Sequence, residues 1–475
     1  MEIVPPERFP NRDLNGLLAF LEYVRGVAAQ KGRPQLASIS LAVKHIDPLA
    51  VLESIYEPGE LHLYLEQPQA DEAVAAAEAI FQQTFAGAGR FSQARDWVRD
   101  IWDNTIAIGD LDRPASGPRA FAAFTFGEDA EPGEARAFAP GTVFIPRWQV
   151  ARRQGVSTAV ANVPVSADAP IEFLAQKVLA AHAKFSVFDY AGLTGGEAPA
   201  PAVFKKHDVG GEGWFTEAVE QALAGIRAGE YRKIVLARAV DLEAGSDFSP
   251  LETLNALREA YPSCFAFSFS DGGGRSFIGA TPERLAQAVG GRLVTAALAG
   301  SAPRGARAGD DAALGAGLLA SDKDLREHRH VAESIERRLR ALGLEPAAAA
   351  QPRLFKLPNV QHLLTPIEAA LPEGVTLLDA AGSLHPTPAV GGVPREAAVP
   401  HIGRIENFSR GLYAGTLGWI DARGEGDFVV AIRSALVEGA RARLYAGVGI
   451  VEGSDPAREQ VETDLKLRAM LDTLR

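Results

Sequence analysis

Three charged residues near the C-terminus, Glu459, Glu462 and Lys466, are spaced to share one face of a helix. That spacing suits a solvated Glu–Lys pair on a surface. It equally suits a pair of hard oxygen ligands for Mg²⁺. Glu327, in the run SDKDLREHRHV (321–331), lies one helical turn before Val331 and so flanks an apolar stripe. It fits either a surface position or a further ligand. His328 and His330 adjoin it, but the HExxH spacing of a zinc helix is absent. Lys233 opens an apolar strand. It is either a strand-end lysine that snorkels to water or a buried base. The second role requires burial or nearby charge to lower its proton affinity from the free value of about 10.4. Glu283, in GATPERL (279–285), follows a Thr-Pro turn. A loop glutamate is ordinarily exposed, and a general acid there needs burial to raise its pKa. Arg433, in VAIRSAL (430–436), has the chemistry of a bidentate carboxylate clamp. Gly447 and Gly449 would let the backbone approach a small carboxylate closely. They do not form a GxGxxG fingerprint, and neither a GxSxG elbow nor a P-loop occurs.

These residues need elements to hold them. Residues 233–242 (KIVLARAVDL) alternate as a strand, as do Phe428–Leu436 and Ala442–Ile450. Ser321–Leu342 predicts a helix, with an apolar stripe through Val331, Ile335, Leu339 and Leu342 and a capping box formed by Ser321 and Asp324. A last helix starts at Asp455-Pro456, with aspartate as N-cap and proline in the first turn. Glu217–Ala228 reads as another helix. Towards the N-terminus, Leu61–Leu65 and Ala120–Phe126 read as strands, and Leu14–Ala29 and Ile171–Phe185 as amphipathic helices. The Pro- and Gly-rich stretch Gly192–Ala202 marks the best boundary, dividing residues 1–205 from 206–475. It also fits a loop inside one large domain. The class is mixed α+β.

Composition removes several alternatives. The 475 residues are 47% hydrophobic and 23% charged, a balance ordinary for globular chains. Sixty acidic and 48 basic residues leave a net charge of -12, unfavourable for nucleic acid and for anionic membrane surfaces. One cysteine, Cys264, permits neither an intrachain disulfide nor a thiolate metal cluster. The start lacks a leader pattern, and no apolar run reaches 18 residues, so the expected location is the cytoplasm.

Each signal is weak alone, but their order and flanking words are specific. KIVLAR, GATPERL, LAGSAPRG, SDKDLREHRHV, VQHLLTPI, LHPTPAVGGVP, YAGTLGW, VAIRSAL and YAGVGIVEGSDPAREQVETDLKL follow one another between residues 233 and 467. In this order they resemble the chorismate-utilising enzymes densely over about 214–472. Residues 1–205 resemble that family's variable N-terminal half only in length and texture. The resemblance implies one large domain of two packed, antiparallel-rich β-sheets with helices outside. It implies Lys233 as the base that activates water and Glu283 as the acid. Glu327 and Glu462 match the Mg²⁺ ligands, with Glu459 often acting through water. Ser301, His362, Arg433, Gly447, Gly449 and Lys466 match positions around the substrate.

Within the family the words are most similar to those of isochorismate synthases. Anthranilate synthases usually carry glutamine where Lys233 stands. Aminodeoxychorismate synthases carry a nucleophilic lysine where Ala299 stands. The word from His385 to Gly392 resembles the isochorismate branch rather than the salicylate branch. The implied reaction is isomerisation of chorismate with Mg²⁺, by a monomer without a glutaminase partner. A salicylate synthase, a non-catalytic carboxylate-binding module and a generic metal hydrolase are the competing expectations.

Overall fold

The computed structural model describes residues 1–5, 13–55, 57, 59–129, 138–186 and 203–475. Among these residues, all 22 strands join one continuous, mostly antiparallel hydrogen-bonded network. The two expected sheets are therefore arms of one sheet rather than separate hydrogen-bonded units.

Alternation of side chains along the strands explains the layering. In Ser276–Thr281, Phe277 faces the largest apolar cluster and Ile278 the second. In Leu61–Gln67, Leu63 and Leu65 face the first and Tyr64 the second. The first cluster gathers Phe121, Phe124 and Phe144 with Phe267, Phe277 and Phe428, so it is a core shared by both halves of the chain. The second includes Leu251, Leu254 and Leu257 of the helix Pro250–Ala260, and Leu467 and Met470 of Pro456–Leu471. Helices thus cover the outer face.

Besides the pairing of Phe204 and Lys205 with Ala244 and Glu243, two backbone ladders cross the boundary at 205. Leu61–Gln67 pairs with Phe265–Asp271, and Arg119–Phe124 pairs with Thr416–Asp421. The connector Gly192–Ala202 lies outside the described residues.

The expected elements form with small changes at their ends. The strand from Lys233 runs to Ala244, and the C-terminal strand spans Arg441–Val451. Asp455 caps the last helix, its carboxylate accepting from the Arg458 amide. Ser321 caps Asp322–Ala341 and accepts from the Asp324 amide at 3.3 Å. The reciprocal half of the expected capping box differs, because the Asp324 carboxylate takes the Ser321 hydroxyl. Both halves of such a box form instead at Thr376 and Asp379.

One expected strand is also corrected. Phe428–Leu436 is not a single strand but two, Gly426–Val430 and Ser434–Glu438. The first pairs with Thr416–Asp421 and Arg284–Val289, and the second with Ser276–Thr281 and Arg441–Val451. The chain changes partners between them, and Arg433 takes a left-handed φ of 53° at the crossing. Apolar alternation continues across the break, so periodicity alone cannot reveal it.

Candidate active site

A cleft in the C-terminal half is lined by Glu283, Ser301, Glu327, His362, Arg433, Gly447, Gly449, Glu459, Glu462 and Lys466. It encloses about 810 Å³, open solvent at its mouth included, a size suited to a small molecule. Residues spread over 184 positions, Glu283 to Lys466, converge here because several strands and two helices end at one place.

Lys233 lies behind the cleft wall. It is 0% exposed, so its strand-end position does not lead to solvent. Its Nζ donates to Glu327 Oε1 at 2.8 Å. Burial penalises the Glu327 carboxylate, but the charge and hydrogen bond of Lys233 outweigh it and hold its pKa below the ordinary value. Gly449 makes room for this pair. A Cβ there would lie 2.6 Å from Glu327 Oε1 and 2.9 Å from Lys233 Cε. The need for glycine at 449 is thus met inside the protein by an ion pair.

Glu283 stands between two strands, Ser276–Thr281 and Arg284–Val289, with its carbonyl accepting from the Val430 amide. Its side chain is buried rather than exposed. Burial pushes its pKa up to about 7, against the opposing hydrogen bond from Thr387 and the charges of Lys233, Arg433 and Lys466. The Thr387 hydroxyl donates to Glu283 Oε1 at 3.2 Å.

Arg433 Nη2 lies 3.3 Å from His362 Nε2, and His362 Nδ1 lies 2.9 Å from Ser301 Oγ. Burial, then the charges of Arg433 and Lys466, hold His362 well below the usual imidazole pKa, so the ring is neutral. A guanidinium only donates, so Nε2 accepts and Nδ1 carries the proton. Nδ1–H therefore donates to Ser301 Oγ, which leaves the serine hydroxyl hydrogen for a ligand. Burial also lowers the pKa of Arg433, the mark of an under-compensated cation at the cleft wall.

The acidic side of the cleft is neutralised by lysines. Lys466 Nζ is 2.7 Å from Glu462 Oε1 and donates to the Gly447 carbonyl at 2.9 Å. Lys323 Nζ donates to Glu459 Oε1 at 3.2 Å. Burial raises the Glu459 pKa, Lys323 opposes it, and the Glu462 charge adds to it. Burial likewise raises Asp324, opposed by the Ser321 hydrogen bond and reinforced by Glu327. Among the described residues no three such side chains already form a metal-holding group. The donor chemistry still fits a hard dication. Glu327, Glu459 and Glu462 present carboxylate oxygens to one cleft, and the like-charge repulsion acting on Glu459 is what such a cation relieves.

Three residues of the site carry no assignment in the sequence reading. Thr387 holds Glu283, Lys323 holds Glu459, and the Tyr413 hydroxyl would lie 2.7 Å from a Cβ at Gly447. Thr387 and Lys323 sit inside the words LHPTPAVGGVP and SDKDLREHRHV, so the signal was present without a role attached.

The profile of the chorismate binding enzymes matches residues 20–475, nearly the whole chain. The chain belongs to the chorismate-binding enzyme family. Isochorismate synthase MenF of Bacillus subtilis is 33% identical over 450 residues, covering 92% of this chain and 93% of its own. The salicylate biosynthesis isochorismate synthase of Pseudomonas aeruginosa is 33% identical over 467 residues, covering 97% and 94%. The solved structure of MenF, the menaquinone-specific isochorismate synthase of Escherichia coli, superposes with a TM-score of 0.75 at 27% identity, over 95% of this chain and 99% of its own. Anthranilate synthase component I of Streptococcus pneumoniae shares the fold, with a TM-score of 0.68 at 22% identity over 85% and 92%. This chorismate-binding enzyme therefore has the mixed α+β fold expected of it. No helix among its described residues is long and apolar enough to cross a membrane.

Proposed function

We propose that this enzyme converts chorismate to isochorismate, with Lys233 as base, Glu283 as acid and Mg²⁺ held by Glu327 and Glu462, with Glu459 beside them. The observation that carries the reading is a pair of buried groups at the cleft, Glu283 in its lining and Lys233 directly behind it, bonded to Glu327 of the same lining. A fully buried lysine opens one strand, and a buried carboxyl with a pKa of about 7 stands in the turn between two others. A reaction that adds water at one ring carbon and expels hydroxide from another needs a base and an acid together. Relatives named isochorismate synthases, matched over more than nine-tenths of their length, support the same assignment.

In this reading Lys233 works as the neutral amine, Glu327 then having the dication rather than the ammonium as its partner, and takes a proton from water as its oxygen bonds to C2. The ring double bonds shift, and the C4–O bond breaks. Glu283 gives its proton to the departing oxygen, which leaves as water. One water enters and one leaves, so substrate and product are isomers and the reaction is reversible. Arg433 and the free Ser301 hydroxyl hydrogen, oriented by neutral His362, hold a substrate carboxylate. Bound Mg²⁺ would supply charge neutralisation for a carboxylate of the dianionic substrate. Ala299 leaves no lysine nucleophile in the Leu298–Ser301 word.

The test is to incubate purified protein with chorismate and Mg²⁺, with and without EDTA, and to resolve products by liquid chromatography. The expected result is isochorismate, formed only with the metal and approaching a fixed ratio with chorismate. Salicylate plus pyruvate would move the enzyme to the lyase branch. No product from folded protein would remove the catalytic reading.

A further inference from the structure

The strand Lys233–Ala244 is fully paired along one edge by Arg441–Val451. Its other edge is paired only at the ends. Gly392–Val393 covers Lys233 and Ile234, and Phe204–Asp208 covers Val240 to Ala244. Between them two side chains stand in for a missing strand. Glu406 Oε1 accepts from the Ala237 amide at 2.7 Å, and Arg410 Nη2 donates to the Val235 carbonyl at 2.8 Å. The two side chains pair with each other, Arg410 Nε donating to Glu406 Oε2 at 2.8 Å, and both are almost wholly buried.

Arg410 Nη2 also donates to Glu406 Oε1, and the remaining nitrogen reaches a different part of the chain. Its Nη1 donates to the Val390 carbonyl at 2.9 Å. The Val390 and Gly391 amides both donate to the Thr387 carbonyl, and the Thr387 hydroxyl donates to Glu283. The guanidinium also lies 4.3 Å from the Phe126 ring centroid, which fixes its plane from one face. One guanidinium therefore ties the strand that carries Lys233 to the turn that holds Glu283. Val235 and Val390, its two carbonyl partners, both line the cleft.

We propose that Arg410, braced by Glu406, is a positioning residue that sets the separation of Lys233 from Glu283. The inference rests on the base and acid roles given above. A buried ion pair is costly to assemble, and apolar residues would fill the same space at least as stably. What apolar residues cannot do is join Val235, Val390 and Ala237 in one rigid plane. Lysine cannot do so either, because a single ammonium lacks the planar fork.

The experiment compares Arg410→Lys and Glu406→Gln with the wild type, each also combined with Thr387→Val. The expected result for Arg410→Lys is a fall in kcat of about 100-fold with KM kept, as small misplacements of reacting groups produce. The basic limb of its kcat–pH profile should move upward, because a loosened Thr387 no longer holds the Glu283 pKa down against burial; Lys233, Arg433 and Lys466 also face that carboxyl. Combination with Thr387→Val should be non-additive. Glu406→Gln keeps the shape of the brace and carries the same test if Arg410→Lys does not fold; a smaller change in the same direction is expected. Wild-type kcat and an unmoved limb in a folded variant would overturn the proposal, as would additive effects. Should the wild type itself form no isochorismate, the functional reading fails separately. Infrared titration of the Glu283 carboxyl, assigned with Glu283→Gln, then reads the upward shift without turnover, and its absence overturns the positioning role.

Discussion

At the scale of single residues, the site separates two glutamates of one chemical type by environment. Glu327 is held ionised by a lysine at 2.8 Å, while Glu283 is pushed to about 7 by burial. Glu283→Gln should lower kcat by about 10²–10⁴-fold. Wild-type activity that depends on a protonated Glu283 should fall as pH rises through about 7, read from a kcat–pH profile. Stability carries the matching sign. The folded pKa of Glu283 lies above its unfolded one, so its stabilisation is complete below the unfolded value and is lost as pH climbs through about 7. Glu283→Gln should therefore be more stable than wild type at pH 8, by up to about 3 kcal/mol, read by denaturant unfolding. Lys233→Ala should abolish turnover while calorimetry still detects chorismate binding. It should also cost roughly 3 kcal/mol of stability, because Glu327 keeps its burial and loses its cation. Full activity in that variant would remove Lys233 from the mechanism.

At the scale of elements, the site is held by element ends. The strand Arg441–Val451 passes so close to the Lys233–Glu327 pair that a Cβ at 449 would force one of the two side chains to shift. Gly449→Ala should displace one or both charges and reduce kcat at least as much as Gly447→Ala, whose nearest obstacle is the Tyr413 hydroxyl. Equal activity for Gly449→Ala and wild type would show that the pair has room to move. The last helix presents Glu459, Glu462 and Lys466 from the register set by its Asp455 cap. Asp455→Ala should cost about 1 kcal/mol in a thermal or urea melt. Much of this scale was legible in the sequence, because caps and periodicity are local. The break at residues 431–433 was not, because it is made by a change of strand partners.

At the scale of the molecule, one sheet and one shared core bind the two halves. Residues 206–475 expressed alone would lose the ladder partners Leu61–Gln67 and Arg119–Phe124, together with Phe121, Phe124 and Phe144. That fragment should show no cooperative thermal transition by circular dichroism. A cooperative melt would mean that the C-terminal part folds on its own. The acidic side of the cleft makes a second prediction. Because burial and the Glu462 charge both act against an ionised Glu459, Mg²⁺ should raise the melting midpoint of the whole protein. The shift should shrink in Glu462→Gln, measured by calorimetry without substrate.

The order of short words along the chain determined the family, the candidate site residues and most helix and strand positions. Those properties are local, set by side-chain chemistry, caps and spacing within a few residues. Tertiary structure alone decided which of these residues are buried and what each one faces. Lys233 resembles any strand-end lysine until the paired edges around it exclude water, and Glu283 resembles any loop glutamate until burial raises its pKa. The same holds for the brace of Glu406 and Arg410, which nothing in IENFSRG announces. Burial and long-range pairing depend on residues far apart in the chain, so no local pattern encodes them.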